Sequence, residues 1–191
     1  MYEGEWSRKL KRGRLIVLSG PGGVGKSTVV SNLRGHTAFY LSTSVTTRAP
    51  RNGEVDGQSY HFVSEDEFKK LIEADAFLEW ADFAGARYGT LKSPVEKALN
   101  DGLNVLLEIE IQGARQVKKA MPDALMVFLE PPSFAELTER IQNRGTDSPE
   151  RIQARLELAR SEMAAASEFD VILTNHRVEE VVSALVSFTA S

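Results

Sequence analysis

Eight residues near the start of the chain have the types and spacing of a phosphate-binding loop. The segment reads Gly20, Pro21, Gly22, Gly23, Val24, Gly25, Lys26 and Ser27, followed by Thr28. It matches the pattern G-x-x-x-x-G-K-[ST], with an apolar strand-like run before it and a helical pattern after it. Glycines let backbone amides turn towards an anion, and the N-terminus of the following helix adds positive partial charge. A glycine-rich turn that binds nothing is the alternative, but the flanking elements favour a site for ATP or GTP.

The chemistry of this loop calls for a divalent cation. Lys26 can reach the β- and γ-phosphates, and the Ser27 hydroxyl can ligate Mg²⁺. A later apolar run ends in two carboxylates, Glu108 and Glu110. One of them is expected to hold Mg²⁺ directly or through water, although a solvated strand end would have the same composition. The N-K-x-D motif of GTPases is absent, which disfavours a GTP switch.

A second group of residues suggests a second anion site. Arg48 and Arg51 are three positions apart, separated by a proline and followed by turn glycines. Such a pair can form a fork for an anionic group, to which the phenols of Tyr60 and Tyr88 can add donors. Each of these residues alone is more often on the surface than in a site. Together with the loop at 20–27, they predict a second phosphate site.

The apolar runs that position these residues alternate with helical patterns. Strand-like runs lie at 15–18, 38–41, 105–107, 125–129 and 171–173, and helical patterns lie at 27–33, 113–120, 134–143 and 149–166. Ser133 with Glu136 predicts a capping box, and Ser148 before Pro149 predicts a helix start. This alternation predicts an α/β fold, in which a parallel sheet is covered by helices on both faces.

The middle of the chain breaks the alternation. Between 42 and 92 lie the strand-like pieces 59–63, 77–80 and 82–84 around a helix at 65–73 capped by Ser64 and Glu67, a pattern that fits a small antiparallel lobe. Ser93 and Pro94 predict the start of a helix over 94–100. The expected domains are a basic tail at 1–13, a core of 14–43 and 93–191 with a short lid at about 144–150, and an inserted lobe at 44–92.

Composition excludes several classes of protein. The net charge of −4 argues against a general nucleic-acid-coating role. The chain has no cysteine, which excludes a disulfide framework. No apolar run reaches 18 residues and the charged N-terminus lacks the core of a signal peptide, so a cytoplasmic protein is expected. The basic residues at 8–12 favour a solvated tail over an arm for an acidic partner.

From Arg14 to its end, the sequence resembles the guanylate kinase family. The resemblance rests on the phosphate loop, on T-T-R-x-P-R-x-G-E-x-x-G-x-x-Y at 46–60, on the motifs at 77–81 and 88–90, and on Q-G-A at 112–114, P-P-S at 131–133 and R-G-T at 144–146. The long signature is far more specific than the loop. The resemblance implies a P-loop core, an inserted mixed α+β lobe that binds GMP, and a lid. It implies phosphorylation of GMP, and also dGMP, by ATP with Mg²⁺.

The resemblance also implies a role for individual residues. The GMP phosphate would be held by Arg48, Arg51, Tyr60 and Tyr88, and the guanine would be read by Ser44, Glu79 and Thr90 with help from Glu110. Lys26, Arg48 and the lid arginines Arg140, Arg144 and Arg155 would be catalytic, and Asn175 would lie near the ATP adenine. Elementary chemistry agrees for the base, because guanine offers two donors to a carboxylate and one acceptor to hydroxyls. Adenine reverses this polarity, and such mismatches allow discrimination of about 10⁴–10⁵.

Two positions depart from the family pattern. Gly22 stands where the family commonly has Ser, and Glu110 where it usually has Asp. A non-catalytic module that docks a phosphorylated partner remains a rival, as does a related P-loop kinase with another acceptor. The enzyme is favoured because the loop and the lid arginines are present. The expected partners are ATP and GMP, without nucleic acid or membrane, in a monomer or a small homo-oligomer.

Overall fold

The computed structural model describes residues 11–143 and 148–190. The strands are β1 (Leu15–Ser19), β2 (Phe39–Leu41), β3 (Val45–Thr46), β4 (His61–Phe62), β5 (Phe77–Phe83), β6 (Ala86–Leu91), β7 (Asn104–Glu108), β8 (Leu125–Glu130) and β9 (Val171–Thr174). The helices are α1 (Lys26–Leu33), α2 (Glu65–Glu73), α3 (Lys92–Asn100), α4 (Ile111–Ala120), α5 (Phe134–Gln142), α6 (Pro149–Ala164) and α7 (Val178–Ser187), with a 3-10 turn at Ala165–Glu168.

Five parallel strands form the core sheet, in the order β2-β7-β1-β8-β9. The central strand β1 is buried along its whole length. Leu15 and Val17 face a cluster that includes residues of α3 and α4. Ile16 and Leu18 face a cluster that includes residues of α1 and α7. Helices therefore cover both faces, which confirms the predicted α/β fold.

A second sheet of four strands has the order β4-β3-β6-β5 and lies within residues 45–91. Its apolar side packs on α2, where the rings of Phe68 and Phe77 stack 4.5 Å apart. Leu78 of β5 instead joins the buried cluster beside α3 and α4. The capping box predicted at Ser64 and Glu67 is confirmed. One strand of the lobe is thus anchored in the core.

Several predictions for this lobe were wrong in detail. The lobe is not wholly antiparallel, because β3 and β4 pair in parallel. The pieces at 77–80 and 82–84 form one continuous strand, β5, and the strand expected at 59–63 shortens to β4. The strands β3 and β6 were not predicted, since β3 has two residues and β6 carries polar side chains within its sequence ARYGTL.

Three of the described helices, α2, α5 and α6, begin with a serine side-chain cap. Ser148 and Pro149 start α6 as predicted. The capping box predicted at Ser133 and Glu136 forms only in part: Ser133 accepts a hydrogen bond from the Glu136 amide, without the return bond that Glu67 makes at α2. The start predicted from Ser93 was wrong, because α3 begins at Lys92 without a side-chain cap. Helix α5 ends at Gln142. Most of the predicted tail, 1–10, and part of the predicted lid, 144–147, lie outside the described residues. Within the described parts of the chain, no helix has the length and apolarity needed to cross a membrane.

Candidate active site

The phosphate loop connects β1 to α1 at the carboxyl edge of the core sheet. Gly25 precedes α1 with a φ of 105°, and Gly20 has a φ of 146°. A Cβ atom at Gly20 would lie 2.2 Å from the Leu129 carbonyl oxygen, so no larger residue fits there. The backbone amides that follow Gly20 and open α1 can therefore turn towards an anion. Ser27 and Thr28 are exposed in the first turn of α1.

Lys26 is held inside the loop. Its side chain is only 8% exposed, and Nζ donates a hydrogen bond to the Gly20 carbonyl oxygen at 2.5 Å. The same Nζ lies 3.9 Å from Glu110 Oε2. Lys26 is therefore a buried cation held between a loop carbonyl oxygen and a carboxylate, and a cation in such a loop is suited to bind phosphate oxygens.

Ser27 and Glu108 form an oxygen pair beside the loop. Ser27 Oγ donates to Glu108 Oε1 at 2.7 Å. Burial raises the pKa of Glu108, and the hydrogen bond from Ser27 and the charge of Lys26 oppose that rise. Among the described residues, no group of three or more acidic or His side chains is placed to hold a metal ion. The pair fits Mg²⁺, which takes one or two protein oxygens and completes its shell with water and phosphate oxygens.

Three side chains from distant elements fix the loop from outside. Glu162 of α6 accepts a hydrogen bond from the Gly22 amide at 3.0 Å, and burial raises the pKa of this carboxyl group. Asn175, which follows β9, donates from Nδ2 to the Val24 carbonyl oxygen at 2.8 Å. Arg140 of α5 donates to the same oxygen at 3.3 Å. Asn175 and Arg140 therefore contact the backbone of the phosphate loop.

The expected lid arginines lie on different elements. Arg140 is in the last turn of α5, where it also lies near Glu136. Arg155 is half-buried on α6. Arg144 lies outside the described residues. The structure thus describes two of the three arginines and places Arg140 against the phosphate loop.

Arg48, Tyr60 and Tyr88 come together in the lobe. The Arg48 guanidinium lies 5.4 Å from the centre of the Tyr60 ring, and the rings of Tyr60 and Tyr88 meet edge to face at 5.9 Å. Burial raises the pKa of Tyr60, so its phenol stays a proton donor. The Arg51 side chain is exposed, and its backbone amide donates to Glu54 Oε2 at 2.7 Å.

Glu54 is a functional candidate that the sequence reasoning did not identify. Its carboxylate accepts two parallel hydrogen bonds from Arg48, at 2.8 and 2.9 Å. This forked pair raises the pKa of Arg48 and, together with the Arg51 amide, lowers that of Glu54. The pair fixes the plane of the guanidinium, which a bidentate contact does with high geometric specificity. The position of Glu54 inside the 46–60 signature was the available signal.

Glu79 is a buried carboxylate at the junction of lobe and core. It is 5% exposed and accepts a hydrogen bond from Thr90 Oγ1 at 2.6 Å. Burial raises the pKa of Glu79, and the hydrogen bond from Thr90 partly offsets that rise. Ser44 precedes Val45, whose cross-strand partner is Gly89, the neighbour of Thr90. Glu79 and Thr90 are therefore cross-strand partners, and Ser44 lies just before the strand that pairs beside Thr90.

The first turn of α4 connects the two sites. Glu110 occupies the N-cap position of α4, and its carboxylate faces Lys26 Nζ. Gly113, one turn further, lies against Glu79, and a Cβ atom there would be 2.4 Å from Glu79 Oε2. Glu110 is thus described next to the phosphate loop, and its part in guanine binding stays a prediction.

A phosphate-loop motif at the edge of a parallel sheet, an Arg–Tyr cluster in the second sheet and a buried carboxylate between them are the features of a P-loop phosphotransferase. The family model described as guanylate kinase matches residues 12–191. A guanylate kinase of Thermobifida fusca is 57% identical over 93% of this chain and 91% of that protein. One of Streptomyces coelicolor is 54% identical over the same shares of both chains.

A solved structure agrees with the sequence relatives. The guanylate kinase of Anaplasma phagocytophilum superposes with a TM-score of 0.78 at 30% identity, covering 94% of this chain and 86% of that one. The chain belongs to the guanylate kinase family.

Proposed function

We propose that the chain performs its reaction by holding ATP at the phosphate loop and GMP in the lobe, with the two phosphate groups facing each other. The reaction is the transfer of the ATP γ-phosphoryl group to an oxygen of the GMP phosphate, which gives ADP and GDP. The acceptor oxygen is already anionic at neutral pH, so the step needs no general base. The observation that carries the proposal is the start of α4, where the N-cap residue Glu110 lies beside Lys26 and Gly113 lies against Glu79.

The main task of such a site is to bring two anions together. Lys26 supplies positive charge to the ATP phosphates, and Arg48 and Arg51 supply it to the GMP phosphate. The phenols of Tyr60 and Tyr88 add hydrogen-bond donors to the GMP phosphate. Arg140, Arg144 and Arg155 are proposed to add charge at the transferring group. Ser27 and Glu108 would hold Mg²⁺, which when bound neutralises charge on the β- and γ-phosphate oxygens. Closure of the lobe and lid would exclude water and suppress ATP hydrolysis.

Guanine recognition is assigned to Glu79, Thr90 and Ser44. An ionised Glu79 accepts hydrogen bonds from N1–H and the 2-amino group of guanine, and the Ser44 hydroxyl can donate to O6. The one proton of the Thr90 hydroxyl is donated to Glu79, so Thr90 acts through that carboxylate. The Thr90–Glu79 hydrogen bond supports this role, because it orients the carboxylate before the base arrives. We also propose that the chain binds neither nucleic acid nor a membrane and that it is a monomer or a small homo-oligomer. Its expected location is the cytoplasm, where both nucleotides occur.

The test of function is a coupled assay of ADP release with ATP, Mg²⁺ and one monophosphate at a time. We expect rapid turnover with GMP, turnover also with dGMP, and little with AMP, CMP or UMP. If AMP were the best acceptor, the assignment of Ser44, Glu79 and Thr90 would be wrong. Tight GMP binding without turnover would instead favour the non-catalytic docking module.

The ionisation of Glu79 predicts a pH dependence of GMP binding. The carboxylate must be charged to accept both guanine donors, and burial raises its pKa. We therefore expect the Kd for GMP to rise as the pH falls through the raised pKa of Glu79. The GMP phosphate also titrates, so the same series is measured by calorimetry on Glu79→Gln. A pH dependence identical in the two proteins would contradict the prediction.

A further inference from the structure

The strand that carries Glu79 has one free edge. In the order β4-β3-β6-β5, strand β5 is terminal, and only one of its edges is paired with β6. Peptide groups on the other edge need partners from elsewhere, because an unpaired buried N–H or C=O is costly. The ladder with β6 is also irregular between Phe77 and Glu79, where the register shifts. Glu79 pairs with Thr90 at the first position after this irregularity, so contacts on the other edge of β5 add to its placement.

A side chain of the core supplies the missing partner. The Trp80 amide donates to Gln116 Oε1 at 3.1 Å, and Gln116 Nε2 donates to the Trp80 carbonyl oxygen at 2.7 Å. Gln116 is half-buried on α4. Its carboxamide can donate and accept at once, as a peptide group does, so it pairs with the strand edge as a neighbouring strand would.

This contact lies directly beside the buried carboxylate. Trp80 follows Glu79 in the chain, and one turn before Gln116 the same helix presents Gly113 to the Glu79 carboxylate. Gly113 allows the carboxylate to approach the helix, and Gln116 holds the backbone at that distance. Two consecutive residues of β5 are therefore positioned against α4 rather than by the lobe alone.

We propose that Gln116 is a positioning residue for guanine selection: it fastens Trp80 to α4 and thereby sets the depth of the Glu79 carboxylate. This inference rests on the proposed role of Glu79 in reading the base. Gln116 does not touch the nucleotide itself. A displacement of about 1 Å at a selecting group is enough to cost a large factor in rate.

The test replaces Gln116 by leucine and compares steady-state kinetics with GMP, with IMP and with varied ATP. IMP lacks the 2-amino group, so the ratio of kcat/KM for GMP over IMP reports whether Glu79 still meets that donor. Loss of both hydrogen bonds is expected to lower this ratio and raise the KM for GMP, each by about tenfold, while the KM for ATP stays unchanged. The matched control is Gln153→Leu, an exposed glutamine on α6 that contacts Glu157.

A purely structural role would give a different result. In that case Gln116→Leu would lower the melting temperature and reduce kcat/KM for GMP and IMP in equal proportion, which overturns the inference. If Gln116→Leu does not fold, Gln116→Glu serves instead, since it keeps an acceptor for the Trp80 amide but loses the donor. An unchanged GMP-to-IMP ratio in that variant has the same meaning. Failure of the proposed function would be visible in the wild-type protein, which would show no GMP-dependent turnover. Failure of this inference alone would leave wild-type turnover intact.

Discussion

Replacement of Lys26 by alanine is expected to lower kcat by about 10²–10³-fold, which is the usual loss when one preorganised charge facing a developing anion is removed. Nζ lies within the loop, bonded to the Gly20 carbonyl oxygen, and no other cation is described at that depth in residues 11–143 and 148–190. The measurement is ADP release at saturating GMP. The matched control is Lys97→Ala, because Lys97 is exposed and pairs with Asp101 just after the end of its own helix.

The fold of the Lys26 variant should persist. Asn175 and Glu162 each hold the loop through contacts that do not involve Lys26. Thermal unfolding followed by circular dichroism therefore should show a cooperative transition close to that of the control. A kcat within a few-fold of wild type would contradict the proposed role of Lys26. Loss of cooperative unfolding would show that the lysine holds the loop together.

Local sequence patterns were sufficient to predict the elements whose stabilising contacts lie within a few residues of one another. The glycines and Lys26 define the phosphate loop within eight residues of chain, and Ser64 with Glu67 defines the start of α2. The continuous apolar runs predicted the parallel sheet, because a strand buried on both faces has no polar alternation. The lobe was predicted less well, since β3 and β6 depend on partners supplied by other parts of the chain.

Contacts between distant elements could not be predicted from local patterns. Glu162 lies 140 residues from Gly22, and Gln116 lies 36 residues from Trp80. In the sequence, each has the character of an ordinary polar residue on a helix, and only the packing of the helix shows its partner. The burial of Glu79 is similar, because a single acidic residue beside Trp80 is equally typical of an exposed strand.

The second large effect concerns the choice of base. Glu79→Gln is expected to lower kcat/KM for GMP by about 10²-fold, because an amide N–H then faces a guanine donor and leaves it unpaired in a buried site. The same N–H can donate to N1 of adenine, so the GMP-to-AMP ratio should fall further than GMP turnover alone. The KM for ATP should stay unchanged, because Glu79 does not contact the phosphate loop in the part of the chain that the structure describes. The control is Glu73→Gln, an exposed position on α2 of the same lobe.

Stability should change in the opposite direction to activity. Burial raises the pKa of Glu79 in the folded protein, so the stability that this carboxyl group contributes is present at low pH. It is lost as the pH rises through the folded pKa, since the unfolded chain releases the proton more easily. At neutral pH Glu79→Gln removes a buried charge, and its melting temperature should equal or exceed that of wild type. A variant that loses selectivity while keeping or gaining stability separates guanine recognition from folding, whereas an unchanged GMP-to-AMP ratio would remove Glu79 from the recognition site.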